Sequence, residues 1–304
     1  MRSNRKFDFV KTSRFFLSFS AAILLVGVIF LGVFGLNYGI DFSSGTSVDV
    51  TTSRQLEESK VKQFLNEQGL GEYTHTSGDG RESIRFKSAL NEQQEKDFKE
   101  HFLAELDPDA SFEINIVDVD IAKEQERNAL IGMAVAGLGI MIYIFIRFEW
   151  RFSLGAIASV IYDALFVVCV FSIFRLEVNL PFILAVLTII GYSINDTIVI
   201  FDRIRENLRF AKIKNHADLE NLVNDSIWQT LTRSINTVVT VLLPAVCLFI
   251  FGGASIKLFS LAIIIGLVSG AYSSIFIASQ VWLYFKKKQP IKKAPVKPQS
   301  ATAP

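Results

Sequence analysis

Six mostly apolar runs punctuate the chain, at 15–36, 128–146, 152–174, 179–201, 235–252 and 258–284. Each is near the roughly 20 residues that a helix needs to cross a hydrocarbon core. We therefore expect a polytopic α-helical membrane protein with six transmembrane helices. Between the first two runs the period changes. Thr46–Thr52 alternates as a strand does, and Leu56, Val61, Phe64 and Leu65 suit a helix ending near Gly69. Residues 72–76 and Ser83–Lys87 are expected strands, joined by the turn signal Ser77-Gly78-Asp79-Gly80-Arg81. Leu90–Leu106 carries Phe98, Phe102 and Leu106 on one helical stripe, and residues 111–119 alternate again. The order βαββαβ is the ferredoxin-like, split-βαβ arrangement. It makes 37–127 a small α+β domain with a modest core.

Charge orients these elements. Half of the residues are hydrophobic, 27 are Phe, and the mean hydropathy is +0.36. The net charge of +1 conceals a segregation: 41–127 holds 20 acids against 10 bases, and the remainder holds 10 acids against 21 bases. Arg2, Arg5, Lys6, Lys11 and Arg14 precede the first span. Arg147 and Arg151 follow the second; Arg203, Arg205, Arg209, Lys212, Lys214 and Arg233 follow the fourth. Lys286, Lys287, Lys288, Lys292, Lys293 and Lys297 come after the last, while the opposite short loops carry Arg175 and Lys257. The positive-inside rule then places residues 1–14 and 286–304 in the cytoplasm and the 37–127 domain outside.

Smaller signals refine this outline. The first run is longer than a signal-peptide h-region and no A-x-A site follows, so it is expected to stay as an anchor. Residues 217–231 set Leu219, Leu222, Val223, Ile227 and Leu231 on one face with Trp228 nearby, the pattern of a cytoplasmic interfacial helix within 128–285. Gly266, Gly270, Ser274 and Ala278 recur every fourth residue, either a close helix contact or chance clustering. The Lys/Pro-rich tail reads as disordered, with attraction to anionic lipid its simplest role.

Candidate chemistry rests on two acids. Asp163 and Asp196 fall within the spans, where an acid costs about 2.5–3.5 kcal/mol on insertion scales. Asp196 stands in VNLPFILAVLTIIGYSINDTIVIFDRIREN (178–207) beside Tyr192, Ser193, Asn195 and Thr197. That setting points to ion or proton handling; the alternative is a buried polar anchor between helices. Asp163 interrupts Val160-Ile161-Tyr162-Asp163-Ala164, either functionally or as a packing hydrogen bond. Arg233 shares a face with Thr237, Thr240 and Pro244 and is the nearest deep base, unless it snorkels to the headgroups. A cation moved toward or away from a buried carboxyl changes its proton affinity. Asp196 and Arg233 therefore form the expected coupling pair, with Tyr192, Ser193, Asn195, Thr197 and Thr237 as supporting polar groups.

Other chemistry finds no footing. There is no Walker-A run, no metal-ligand spacing and no nucleophile elbow. No cofactor, no nucleic-acid partner and no enzyme of bond chemistry is expected. Cys169 and Cys247 lie in apolar spans and read as small buried hydrophobes. His75 and His101 stand alone and are expected to be solvated.

Three motifs carry a family resemblance over nearly the whole chain. They are Gly35-Leu36-Asn37-Tyr38-Gly39-Ile40-Asp41-Phe42-Ser43-Ser44-Gly45-Thr46; Gly191-Tyr192-Ser193-Ile194-Asn195-Asp196-Thr197-Ile198-Val199 with Asp202-Arg203-Ile204-Arg205-Glu206-Asn207; and Gln229-Thr230-Leu231-Thr232-Arg233-Ser234 with Phe251-Gly252-Gly253. The chain resembles the SecF family of the SecD–SecF accessory complex of bacterial protein export. Two positions depart from its pattern. Ser44 stands where Gly is usual, and Tyr162 stands where His commonly precedes the acid, so no proton relay through that His carries over.

The resemblance implies half of an RND-type bundle in the bacterial cell membrane, completed by a SecD-like subunit. Its implied role is help for preproteins leaving the SecYEG channel, driven by proton or sodium flow as the coupling ion. Asp196 and Arg233 match the positions it implicates in ion movement. Gly39, Asp41, Gly45, Thr46, Asp202, Arg203, Arg205 and Glu206 belong to its motifs. Two rival readings are an RND-type small-molecule efflux half-transporter and a passive scaffold of a membrane channel complex. Efflux chains are far longer, and a scaffold gains little from intramembrane acids.

Overall fold

The structure is a computed structural model that describes residues 7–39, 42, 45–78, 80–117 and 119–289. Asp41, Ser44, Asp79, the basic residues Arg2, Arg5 and Lys6 and the tail 290–304 lie outside the described residues.

Helix α1 (Phe9–Phe34) begins where the Asp8 carboxylate accepts from the Lys11 N–H, and it stops at Gly35, whose φ is 64°. Strand β1 (Asn37–Tyr38) leads into the small domain. That domain runs β2 (Gly45–Thr51), α2 (Glu58–Gln68), β3 (Tyr73–Gly78), β4 (Arg81–Phe86), α3 (Glu92–Glu105) and β5 (Ser111–Val117). Its sheet order is β3-β4-β2-β5, with each neighbouring pair antiparallel. This is the βαββαβ arrangement expected from the alternation.

The helices form because their starts and stops are written locally. Asn91 and Gln94 close a capping box at α3, and Gly69 ends α2 in the left-handed region. Val48, Val50, Ile84 and Phe86 from the strands meet Val61, Phe64, Phe98 and Phe102 from α2 and α3. The Phe64 ring lies edge-on to Phe98 and Phe102 at 5.6 and 5.5 Å. The other sheet face, with Asp49, Arg81, Ser83, Arg85 and Glu113, is polar.

His75 departs from expectation. Its side chain is 1% exposed and its Nε2 lies 2.7 Å from Glu82 Oε2, which is 2% exposed. Strand pairing sets His75 opposite Ile84, on the helix-facing side, and Ser77 also donates to Glu82. A lone polar residue in register with an apolar face is carried inward by period-two geometry.

After β5 come α4 (Val119–Arg147), α5 (Trp150–Ile173), β6 (Glu177–Val178), α6 (Leu180–Phe210), α7 (His216–Phe251) and α8 (Ala254–Ser273). A π-helical turn, Ser274–Ala278, joins α8 to α9 (Ser279–Lys287) in one rod. Among the described residues, six helices are long and apolar enough to cross a membrane, with the rod over Ile256–Lys287 as the sixth. The protein is thus a six-helix membrane bundle with a small α+β domain. The rod and α6 are the most enclosed, 67% and 50% buried over their apolar windows; α4 and α7 are 6% and 11% buried and present bare faces.

Residues 217–231 do not form a separate interfacial helix. They are the first turns of α7, begun by an Asn215–Asp218 capping box. Leu219, Leu222, Val223 and Ile227 are buried against the bundle, so their apolar face meets protein. Trp228 Nε1 donates to the Phe7 carbonyl at 2.9 Å, and Asn224 Oδ1 accepts from the Phe9 N–H. Cys169 is buried as expected, but Cys247 lies on the exposed face of α7.

Two clamps tie the domain to the bundle. β1 pairs in parallel with β6, and Arg175 Nη1 donates to the Phe34 and Gly35 carbonyls at the end of α1. Arg175 holds a left-handed φ of 52° to do so. On the polar sheet face, Arg85 pairs with Glu177 and Arg81 donates to the Gly252 carbonyl at the end of α7.

Candidate intramembrane site

The contact between α6 and α8 sets the site. A Cβ on Gly266 would stand 2.2 Å from Ile189 Cδ1, and one on Gly270 would stand 3.4 Å from the Ser193 Cβ. Ser274 Oγ meets Thr197 Oγ1 at 2.8 Å. Residues 266, 270 and 274 thus face 189, 193 and 197, one i+4 row against another. The small-residue stripe is a close helix contact that brings hydroxyls to the bundle's centre.

Asp163 on α5 lies in that centre and is fully buried. Three hydroxyls donate to its carboxylate: Ser193 at 2.5 Å from α6, and Ser269 at 2.5 Å and Ser273 at 2.6 Å from α8. Both oxygens are engaged, and three helices meet on one acid. An isolated buried carboxylate would be far costlier. Thr197, the next hydroxyl down α6, also lies 3.5 Å from Ser159.

Asp196 differs. It is 8% exposed, and Ser234 on α7 donates to its Oδ1. Its Oδ2 is buried and has no hydrogen-bond partner among the described residues. The side chain lines a narrow cleft with Tyr192, Ser193, Thr237, Gly266 and Gly270. That cleft offers about 10 Å³, roughly the space that the centre of one water molecule needs.

The expected polar set divides. Ser193 and Thr197 turn inward, to Asp163 and to Ser274. Tyr192 and Asn195 are exposed on the outer face of α6, although Tyr192 borders the cleft. Thr237 Oγ1 donates back to the Arg233 carbonyl at 3.0 Å on its own helix. Arg233 is exposed, and among the described residues no ion pair within 4.0 Å joins it to Asp196. In this conformation the partner of Asp196 is Ser234, the residue after Arg233. Ser234 stands in the third motif without a sign that it serves Asp196, and Ser269 and Ser273 stand outside every motif. Their available signal is spacing: 269 and 273 lie one turn apart on a span of small residues.

The motif residues brace this arrangement. Gly45 has φ 154°, and a Cβ there would come within 2.4 Å of the Phe86 carbonyl, so glycine is required. Thr46 Oγ1 accepts from the Leu90 N–H at 2.8 Å. The Gly39 N–H donates to the Val178 carbonyl at 2.8 Å. Past the membrane end of α6, Arg203 reaches Gln229 of α7 at 2.5 Å and Glu206 at 2.6 Å. Asp202 lies 3.5 Å from Arg205 and 4.0 Å from Arg147 of α4. The second and third motifs therefore meet through Gln229, which bonds α7 to α6.

Known proteins share this plan. The family described as Protein export membrane protein SecD/SecF, C-terminal, matches residues 99–288, and the SecD/SecF GG motif matches 29–55. Protein translocase subunit SecDF of Bacillus subtilis is 44% identical over 94% of the chain, which spans 39% of that protein. Protein translocase subunit SecF of Alicyclobacillus acidocaldarius is 43% identical, over 95% of this chain and 96% of that one. The crystal structure of SecDF from Thermus thermophilus superposes with a TM-score of 0.83 at 33% identity, covering 95% of this chain and 40% of the other. The chain belongs to the SecD/SecF family of protein-export membrane proteins.

Proposed function

We propose that the chain is the SecF-type half of a membrane complex that helps preproteins leave the SecYEG channel. A SecD-type half completes the bundle, and proton or sodium flow past Asp196 drives movement of the small domain. Both termini face the cytoplasm and the domain faces outside, a reading supported by the placement of basic residues. No bond of a substrate is made or broken, and no cofactor beyond the coupling ion takes part.

The observation that carries this is the half-satisfied carboxylate of Asp196. One oxygen is held by Ser234, the other faces a water-sized cleft, and Arg233 stands next to Ser234 in sequence. Titration or ion binding at Oδ2 changes what Asp196 asks of α7. Helix α7 can carry that change: Ser234 and Gly252 lie about 27 Å apart along it, and Gly252 accepts from Arg81 of the domain. Asp163, saturated by three hydroxyls, serves as the fixed anchor against which α7 moves. The bare face of α7, with Asn236 and Thr240 exposed, and the neighbouring Asn195 support a partner half beside them.

Depletion tests the reading. Cells depleted of this chain accumulate unprocessed precursors, and an uncoupler abolishes the difference between depleted and replete cells. Mild-detergent purification recovers a second six-helix subunit. Unchanged precursor processing on depletion would contradict the proposal.

A further inference from the structure

A second crevice lies at the far end of the bundle from the small domain, where α1 begins and α9 ends. It encloses about 450 Å³. Its rim is cationic: Lys11 and Arg14 from α1 and Lys287 from α9. Its apolar lining is Val10, Leu17, Leu283 and Tyr284. The acid that faces it, Glu220 of α7, is already paired with Lys287. Lys11 also lies 3.4 Å from Asp8, with its side chain 79% exposed. The Arg14 guanidinium has no hydrogen bond or ion pair among the described residues.

We infer that this crevice binds the phosphodiester headgroup of an anionic phospholipid, with an acyl chain lying along α1. Position argues for a lipid. The cations stand where two membrane-spanning apolar stretches begin and end, at headgroup depth. The face of α1 that lines the crevice continues along the helix as Leu25 and Val28, 61% and 49% exposed. Charge argues for an anionic one. After Glu220 is discounted against Lys287 and Asp8 against Lys11, the rim keeps the charge of Arg14, and Lys286 and Lys288 flank it. A zwitterionic lipid brings its own cation to that rim. Basic clefts between transmembrane helices suit anionic headgroups for this reason.

The test uses the full chain in mild detergent with equal phosphatidylglycerol and phosphatidylcholine, and native mass spectrometry counts the lipids retained. The unmutated chain retains phosphatidylglycerol over phosphatidylcholine by about fivefold or more. K11Q/R14Q brings the ratio near one. The charge-matched pair K212Q/K214Q, exposed and outside the crevice, leaves it unchanged. Inorganic phosphate at the lipid concentration does not release the lipid. Equal retention of the two lipids by the unmutated chain overturns the proposal whatever the variants do. So does equal loss in both double variants, retention by K11Q/R14Q, or displacement of the lipid by phosphate.

Discussion

Ser234 of α7 donates its hydroxyl to Oδ1 of Asp196 on α6, and Oδ2 of the same carboxylate has no partner among the described residues. The two acids of the bundle are thus set in opposite states. Asp163 is fully bonded and joins three helices; Asp196 is half bonded and joins two. This difference in bonding supports the anchoring role proposed for Asp163 and the mobile role proposed for Asp196.

Asp163→Ala removes the acceptor of three hydroxyls. Ser273 also lies 3.2 Å from the Gly270 carbonyl, so part of the loss is recovered by rebonding. We expect destabilisation of about 1–3 kcal/mol, with Asp163→Asn milder because its carbonyl still accepts. Thermal unfolding in detergent measures both. An unchanged Tm for Asp163→Ala would remove Asp163 from the anchoring role.

Gly266→Ala tests the helix contact. Its Cβ has no room against Ile189, so α6 and α8 must separate. Overpacking of this kind costs about 1–3 kcal/mol. Gly132→Ala, where a Cβ meets nothing within 4 Å, is expected to be neutral by comparison. Equal Tm values for the two variants would contradict the close packing.

The small domain carries a pH-sensitive staple. Asp107 is 1% exposed; burial pushes its carboxyl up, but bonds from the Ser53 hydroxyl and N–H, the Asp109 N–H and the nearby Arg54 outweigh this and hold it below its ordinary value. A lowered folded value contributes stability above the unfolded value, near 3.9, and loses it as pH falls through the folded value. Asp107→Asn therefore lowers the Tm of the domain at pH 7, and the gap to the unmutated protein narrows toward pH 3. A gap independent of pH would show that Asp107 acts through packing alone.

Orientation is open to labelling. In a Cys169→Ala, Cys247→Ala background, Thr76→Cys on the exposed edge strand reacts with an impermeant maleimide in intact cells. Lys212→Cys reacts only after lysis. The reverse pattern would invert the topology.

Much of this architecture is legible in the residues. The six spans follow from length and hydropathy, and the strands of the domain from alternation bounded by Gly69, Gly80 and Asn91. The intramembrane hydroxyl partners are not. Ser and Thr in a helix can bond a carbonyl one turn back, as Thr188 does to Leu184 and Ser226 to Leu222. Periodicity cannot tell such a residue from Ser269 or Ser273, which serve an acid on another helix. Residues 217–231 misled for a related reason: an amphipathic face looks the same whether lipid or protein covers it. His75 was legible in principle, since Tyr73, His75 and Ser77 alternate onto one side, but a lone histidine carries no apolar signal.

The central claim is that Asp196 moves a proton or ion and does more than hold α6 to α7. Asp196→Asn tests it most directly, because the amide keeps the size and the hydrogen bond with Ser234 but cannot titrate. The measurement is export of a reporter preprotein in energised inverted membrane vesicles, with and without the ion gradient. The account predicts that the variant assembles with its partner half and supports only the gradient-independent rate. Full gradient-stimulated export by Asp196→Asn would contradict it.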